Sequence, residues 1–179
     1  MIFFAFFSLK RLEFYAVSGK LVVESSKKWG KVGNSPMFMG EYRHSLDAKN
    51  RMIVPAKFRE ELGETFVVTK GLDGCLSVYT EAQWTEIAAQ LAKLPATKRE
   101  ARQYIRHVMS KAQECTFDSQ GRIQLPQVLI AEADIVKKCV VIGAADHVEI
   151  WAEEKWDAYD ADADASFEAV AETLTEFLQ

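Results

Sequence analysis

Between residues 37 and 156 the apolar positions come in short bursts separated by turn formers, a pattern of brief strands and one- or two-turn helices. Gly40–Leu46, Met52–Val54, Phe66–Thr69 and Leu76–Tyr79 read as strands, as do Ala112–Phe117, Ile123–Leu125, Cys139–Ile142 and Val148–Trp151. Pro55 and Pro126 each suit the first position of a short helix, Ala56–Leu62 and Gln127–Ala133, where a missing N–H costs nothing. Hairpin turns are expected at Gly71–Gly74 and Ala144–Asp146. Thr80 reads as the N-cap of a further helix, with Gln83 completing a capping box. Thr97–Lys111 predicts a helix that carries Lys98, Arg99, Arg102 and Arg106 on one side. After Trp156 only a weak apolar period remains, at Phe167, Val170, Leu174 and Phe177, which suits either a frayed helix or an assembly contact.

The chain also resembles itself. Asp47-Ala48-Lys49-Asn50-Arg51 precedes Met52-Ile53-Val54-Pro55, and 71 residues later Asp118-Ser119-Gln120-Gly121-Arg122 precedes Ile123-Gln124-Leu125-Pro126. Phe66–Thr69 then answers Cys139–Ile142, Leu76–Tyr79 answers Val148–Trp151, and Trp84 answers Trp156. One copy is too small to enclose a core, because four short strands bury little and leave unpaired edges. Two copies can pair their strands into a closed, pseudo-twofold barrel. The expected fold class is therefore mainly β with α (α+β), with helices flanking the barrel. The boundaries read as a first module at 37–84, a helical connector at 85–111, a second module at 112–156 and an acidic tail at 157–179. Trp84 and Trp156 are expected to anchor the core or the module interface.

Charge changes this picture only after division by segment. The net charge is −4, yet residues 1–36 hold six basic and two acidic residues, 37–152 hold 15 of each, and 153–179 hold one basic and nine acidic. The acidity thus belongs to the tail, and the neutral middle neither supports nor excludes a nucleic-acid partner. Residues 1–36 read as a non-native or disordered extension: a seven-residue apolar start precedes rather than follows its positive charges, and Ser25–Pro36 has linker composition. Met37 is the expected natural first residue. From there on no apolar run reaches the roughly 20 residues of a membrane span. Cys75, Cys115 and Cys139 lie far apart with no Cys-x-x-Cys pair, which argues against a disulfide scaffold or zinc ribbon and suits a reducing cytosol.

The candidate chemistry lies in the two Asp-x-x-x-Arg turns. Asn50 and Gly121 occupy the fourth position, where a sharp reversal needs positive φ. Each Asp can accept bonds from N–H groups of its own turn, and can hold its Arg guanidinium. The bland reading is a pair of well-capped turns. The first copy exceeds that need, since Arg43, His44, Lys49, Arg51, Lys57 and Arg59 fall within 17 residues, whereas Glu114–Glu132 has only Arg122 as a basic residue. An arginine on a hairpin can enter the major groove and bond guanine O6 and N7, while Lys49 suits a phosphate.

Phe38-Met39-Gly40-Glu41-Tyr42, Leu46-Asp47-Ala48-Lys49-Asn50-Arg51 and Val54-Pro55-Ala56-Lys57-Phe58-Arg59 resemble the N-terminal module of the MraZ proteins, and Asp118–Arg122 with Glu149-Ile150-Trp151 resembles their second. The resemblance covers about residues 37–160. It implies tandem swapped-hairpin modules of the AbrB type and a ring-shaped homo-oligomer in the cytoplasm, associated with the nucleoid. It also implies a transcriptional regulator that binds short G-rich direct repeats in double-stranded DNA upstream of its own gene, within a division and cell-wall gene cluster. By carry-over Arg51, Lys49 and Asn50 form the DNA-reading turn, held by Asp47 and flanked by Arg43. Arg122 and Asp118 match the second turn. Asn50 departs from the glycine expected there.

No cofactor, metal, membrane or small-molecule ligand is expected, and no enzyme. His44, His107 and His147 lack metal-ligand spacing, and no nucleophile elbow or phosphate loop is present. The alternative is an antitoxin-like or scaffold protein of the same fold that acts through protein partners.

Overall fold

The repeat in the sequence reappears as a repeat of elements. In the computed structural model, which describes residues 36–175, the first copy runs β1 (Phe38–Ser45), β2 (Arg51–Ile53), α1 (Ala56–Leu62), β3 (Thr65–Lys70), β4 (Leu76–Thr80) and α2 (Glu81–Leu91). A connecting helix, α3 (Arg99–Lys111), leads to β5 (Gln113–Thr116), β6 (Arg122–Gln124), α4 (Gln127–Glu132), β7 (Lys138–Ala145), β8 (His147–Ala152) and α5 (Glu153–Leu174). Apart from Pro36, the expected extension lies outside the described residues, and so does Phe177. Residues up to Asp157 form one compact unit, and those from Ala158 belong to another.

Pairing exchanges strands between the copies. A six-stranded antiparallel sheet has the order β1-β7-β8-β4-β3-β5, so the first strand of each copy lies beside the third strand of the other. The two halves meet where Ser77 faces Glu149 at the middle of the β4–β8 pair. β2 and β6 form a separate two-stranded ribbon, centred where Met52 faces Ile123. Both centres lie between pseudo-equivalent residues, so one pseudo-twofold axis relates the whole arrangement. The swap and the pseudo-symmetry agree with expectation. The closed barrel does not: among the described residues the ribbon pairs only with itself, β1 and β5 remain sheet edges, and the barrel stays open. At three residues per strand, β2 and β6 are too short to continue the ladder around to those edges.

Alternation along the strands decides what is buried. Phe66, Val68, Leu76, Val78, Cys139, Val141, Val148 and Ile150 turn one sheet face toward the ribbon's Met52 and Ile123. Phe58 and Leu62 of α1 and Leu129 and Ile130 of α4 complete this core. Pro55 and Pro126 stand one position before the expected one. Each is the N-cap, with ψ of 136° and 140°, and its carbonyl accepts the first helical N–H bonds. The fixed φ therefore serves the strand-to-helix corner rather than the first turn. The box at Thr80 forms as expected, Thr80 Oγ1 accepting from Gln83 N–H and Gln83 Oε1 from Thr80 N–H.

The opposite sheet face carries α2, α3 and the first turn of α5. Trp84 and Trp156 are half-buried there, against Tyr79 and Trp151 respectively, and do not reach the core between the modules. Beyond Asp157, α5 is an unbroken acidic helix with Tyr159, Phe167, Val170 and Leu174 exposed. A polar cluster occupies the middle of this face. His147 stacks on Tyr79 and places Nδ1 2.7 Å from Asp146 and Nε2 3.2 Å from Glu149. The Glu149 bond raises the His147 pKa against the opposing effect of burial. A raised folded value means stability that is full below the unfolded pKa and is lost as pH rises through the folded one. We therefore expect the thermal midpoint to fall as pH rises above the ordinary histidine pKa of about 6.5. A His147→Gln variant showing the same slope would assign the effect to other groups.

Candidate nucleic-acid interface

Each turn is built by one carboxylate doing two jobs. Asp47 Oδ1 accepts from the backbone N–H groups of Lys49 (2.8 Å) and Arg51 (3.0 Å), while Oδ2 accepts from Arg51 Nε (2.8 Å) and Nη2 (2.6 Å). Asp118 repeats the pattern with Gln120 and Arg122 N–H, both 2.9 Å, and with Arg122 Nε and Nη2, both 2.7 Å. Asn50 and Gly121 take positive φ, 59° and 71°, so an asparagine meets the backbone demand that glycine meets in the second copy. The hydrogen bonds from Arg51 hold the Asp47 carboxyl well below the usual carboxylate range, and those from Arg122 hold Asp118 down to about 2. Because both values are depressed, the charge lock is complete above the ordinary carboxylate pKa and fails only in strong acid.

This geometry leaves the arginines constrained but usable. Each Asp engages the Nε–Nη2 edge, so the two N–H groups of Nη1 and one of Nη2 point away from the turn. Arg51 is 27% exposed and Arg122 23%. Pairing of β2 with β6 then sets the two turns side by side: Arg51 faces Gln124, Ile53 faces Arg122, and Arg122 Nη1 stands 4.0 Å from Asp47 Oδ2. With Met52 and Ile123 buried beneath, the outward row of the ribbon is Arg51, Ile53, Arg122 and Gln124. Both arginines are marked by the Asp-x-x-x-Arg motif, whereas Ile53 and Gln124 carry no motif of their own. A period of two counted from each arginine finds them.

The structure brings together Asp47, Lys49, Asn50, Arg51, Asp118 and Arg122. Lys49 is exposed at the bend, and Asn50 Nδ2 donates to Gln127 Oε1 at 2.8 Å. Arg59 of α1 lies so close over Gly121 that a β-carbon there would fall 1.3 Å from its Nη1. Arg43 is not brought to the ribbon. It sits on β1, where its guanidinium bonds Glu41 (3.1 Å) and Asp157 (2.8 Å) and lies 3.6 Å from Glu153. Those partners hold its charge more firmly than usual, the Asp157 hydrogen bond foremost.

The three buried cysteines are not activated as nucleophiles. Burial pushes the thiols of Cys75 and Cys139 up to about 12 and that of Cys115 up to about 11, so all three are neutral at physiological pH. Among the described residues, no helix is long and apolar enough to cross a membrane.

Comparison with known proteins agrees with the repeat. The family model described as "MraZ protein, putative antitoxin-like" matches residues 37–107 and again residues 108–178. The chain is similar to the "Transcriptional regulator MraZ" of Ligilactobacillus salivarius, 51% identical over 141 residues that span 79% of this chain and 99% of the relative. The protein of the same name from Desulforamulus reducens is 51% identical over 142 residues, 79% of this chain and 100% of the relative. That from Natranaerobius thermophilus is 50% identical over 141 residues, covering 79% and 99%. Two tandem matches, each containing one Asp-x-x-x-Arg turn, and relatives half identical along nearly their whole length make this chain a member of the MraZ family.

Proposed function

We propose that the chain is a sequence-specific, DNA-binding transcriptional regulator whose β2–β6 ribbon enters the major groove. The observation that carries this reading is the pair of arginines held side-on by their own aspartates on the outward row of a two-stranded ribbon. A ribbon of that width fits the major groove, and an arginine with its Nη edge free can bond guanine O6 and N7 together. Asp47 and Asp118 act as positioning residues, removing the freedom that an arginine must otherwise lose on binding. Lys49 and Asn50 at the bend lie where phosphate contacts would fix register. That the relatives are named transcriptional regulators supports the regulatory role.

The finer reading follows the family resemblance. The binding sites are short G-rich direct repeats upstream of the chain's own gene, in a division and cell-wall gene cluster, and the protein works in the cytoplasm on the nucleoid. Several copies in a ring would engage successive repeats, so that avidity strengthens individually weak contacts. A nuclease footprint of the purified full chain on its own upstream region tests this. Protected guanine runs at a regular spacing are expected, and an unprotected region at low salt counts against it. A second reading, an antitoxin-like protein or scaffold, is favoured by the apolar residues that α5 leaves exposed. It predicts a co-purifying protein chain and no footprint.

A further inference from the structure

The ribbon is symmetric in its arginines but not beside them. Arg51 and Arg122 are pseudo-equivalent, each bound side-on to its own Asp. Two residues further along each strand, at the only other outward ribbon positions, stand Ile53 and Gln124. Register sets Gln124 directly across from Arg51, and Ile53 directly across from Arg122. Each arginine therefore has a different neighbour: a carboxamide in one half and a branched aliphatic side chain in the other.

Their surroundings differ in the same sense. Gln124 lines a hollow of about 580 Å³ together with Asn50, Gln113 and Gln127, a concentration of carboxamides beside the first turn. Asn50 and Gln127 bond each other, while the side chains of Gln113 and Gln124 have no hydrogen-bond partner among the described residues. Ile53 is 52% exposed, although it follows the buried Met52 on the same strand. The sheet and core do not use that side chain.

We propose that Gln124 and Ile53 are specificity-determining residues that give each chain a direction along DNA. This rests on the DNA-binding reading above. A glutamine side chain matches adenine, whose N6 amino group donates to the amide oxygen while N7 accepts from the amide nitrogen, and an aliphatic side chain matches the thymine methyl group. Directly opposed residues on a ribbon stand about 5 Å apart, and diagonal ones about 7–8 Å. Gln124 thus reads an adenine next to the guanine bonded by Arg51, and Ile53 packs on a thymine next to the guanine bonded by Arg122. Two equal halves would read an inverted repeat, because a twofold axis in the ribbon would coincide with one in the duplex. Unequal halves bind in one orientation only, so successive chains read a direct repeat.

The test uses the purified full chain and a duplex carrying its own upstream guanine runs, with each neighbouring base pair replaced in turn. For the wild type, replacing one adenine and one thymine beside the guanines should weaken binding about tenfold or more. Gln124→Ala should lose discrimination at the adenine alone, and Ile53→Ala at the thymine alone. Ile53→Gln should bind direct and inverted arrangements of the guanines about equally. If either alanine variant keeps the wild-type base profile, or weakens all duplexes by the same factor, the assignment is overturned while DNA binding stands. If the wild type binds none of the duplexes, the underlying functional reading fails as well.

Discussion

Arg51→Ala is expected to abolish operator binding while leaving the fold intact. A bidentate arginine–guanine contact is worth roughly tenfold to a hundredfold in affinity at each site, and simultaneous engagement of several sites multiplies the loss. The fold should survive because Arg51 lies on the outward row of the ribbon, with Met52 beside it supplying the buried contact. Removing the guanidinium frees Asp47 Oδ2, but Oδ1 still accepts the two backbone N–H bonds that close the turn. Arg122→Ala should be milder, since Arg122 Nη1 already leans toward Asp47 and its free edge is less available. Gel shifts at fixed salt, run beside circular dichroism, measure both variants. Undiminished binding by Arg51→Ala would remove this residue from the interface.

The largest loss of stability is expected from Phe58→Ala. Phe58 is wholly buried in α1 and meets Phe38 and Tyr42 edge-on, at ring-centroid distances of 5.7 and 5.3 Å. Truncating a buried phenylalanine costs about 3–5 kcal/mol, from lost transfer energy and from the cavity left behind. The surroundings cannot close that gap cheaply, because Phe38 and Tyr42 are held in register with Ala145 and Val141 along the β1–β7 pair. Chemical denaturation at fixed protein concentration checks this. A loss below about 1 kcal/mol would show that the helix settles into the vacated space.

What the sequence displayed was local chemistry copied twice. The Asp-x-x-x-Arg turns, the Thr80 box and the span of α1 were legible because each depends on a few neighbouring residues. Strand exchange could be expected only through the family resemblance, since no alternation of apolar residues says which copy supplies the neighbour of β1. The open barrel was illegible for a related reason: closure depends on how many rungs β2 and β6 form, and a three-residue burst looks the same in either case. Arg43 shows the limit of counting charge along the chain. It stands four residues before Asp47, yet strand alternation turns it to the opposite sheet face and into the carboxylates of Glu41 and Asp157. Ile53 and Gln124 were overlooked because neither residue type draws attention alone. Only the ribbon register gives them neighbours.

The exchange of strands also governs how the chain comes into being. β1 cannot find its neighbour until β7 has been made, roughly a hundred residues later. At about 5–20 residues per second, that is a wait on the order of 5–20 seconds during synthesis. Meanwhile the growing N-terminal half carries Phe38, Met52 and Phe58 with only the β3–β4 hairpin to cover them. Closing so long a loop is slow and leaves nascent chains open to pairing with one another. A substitution that makes this half stickier would thus lower the yield of protein in the cell before it changes anything measurable in the finished molecule.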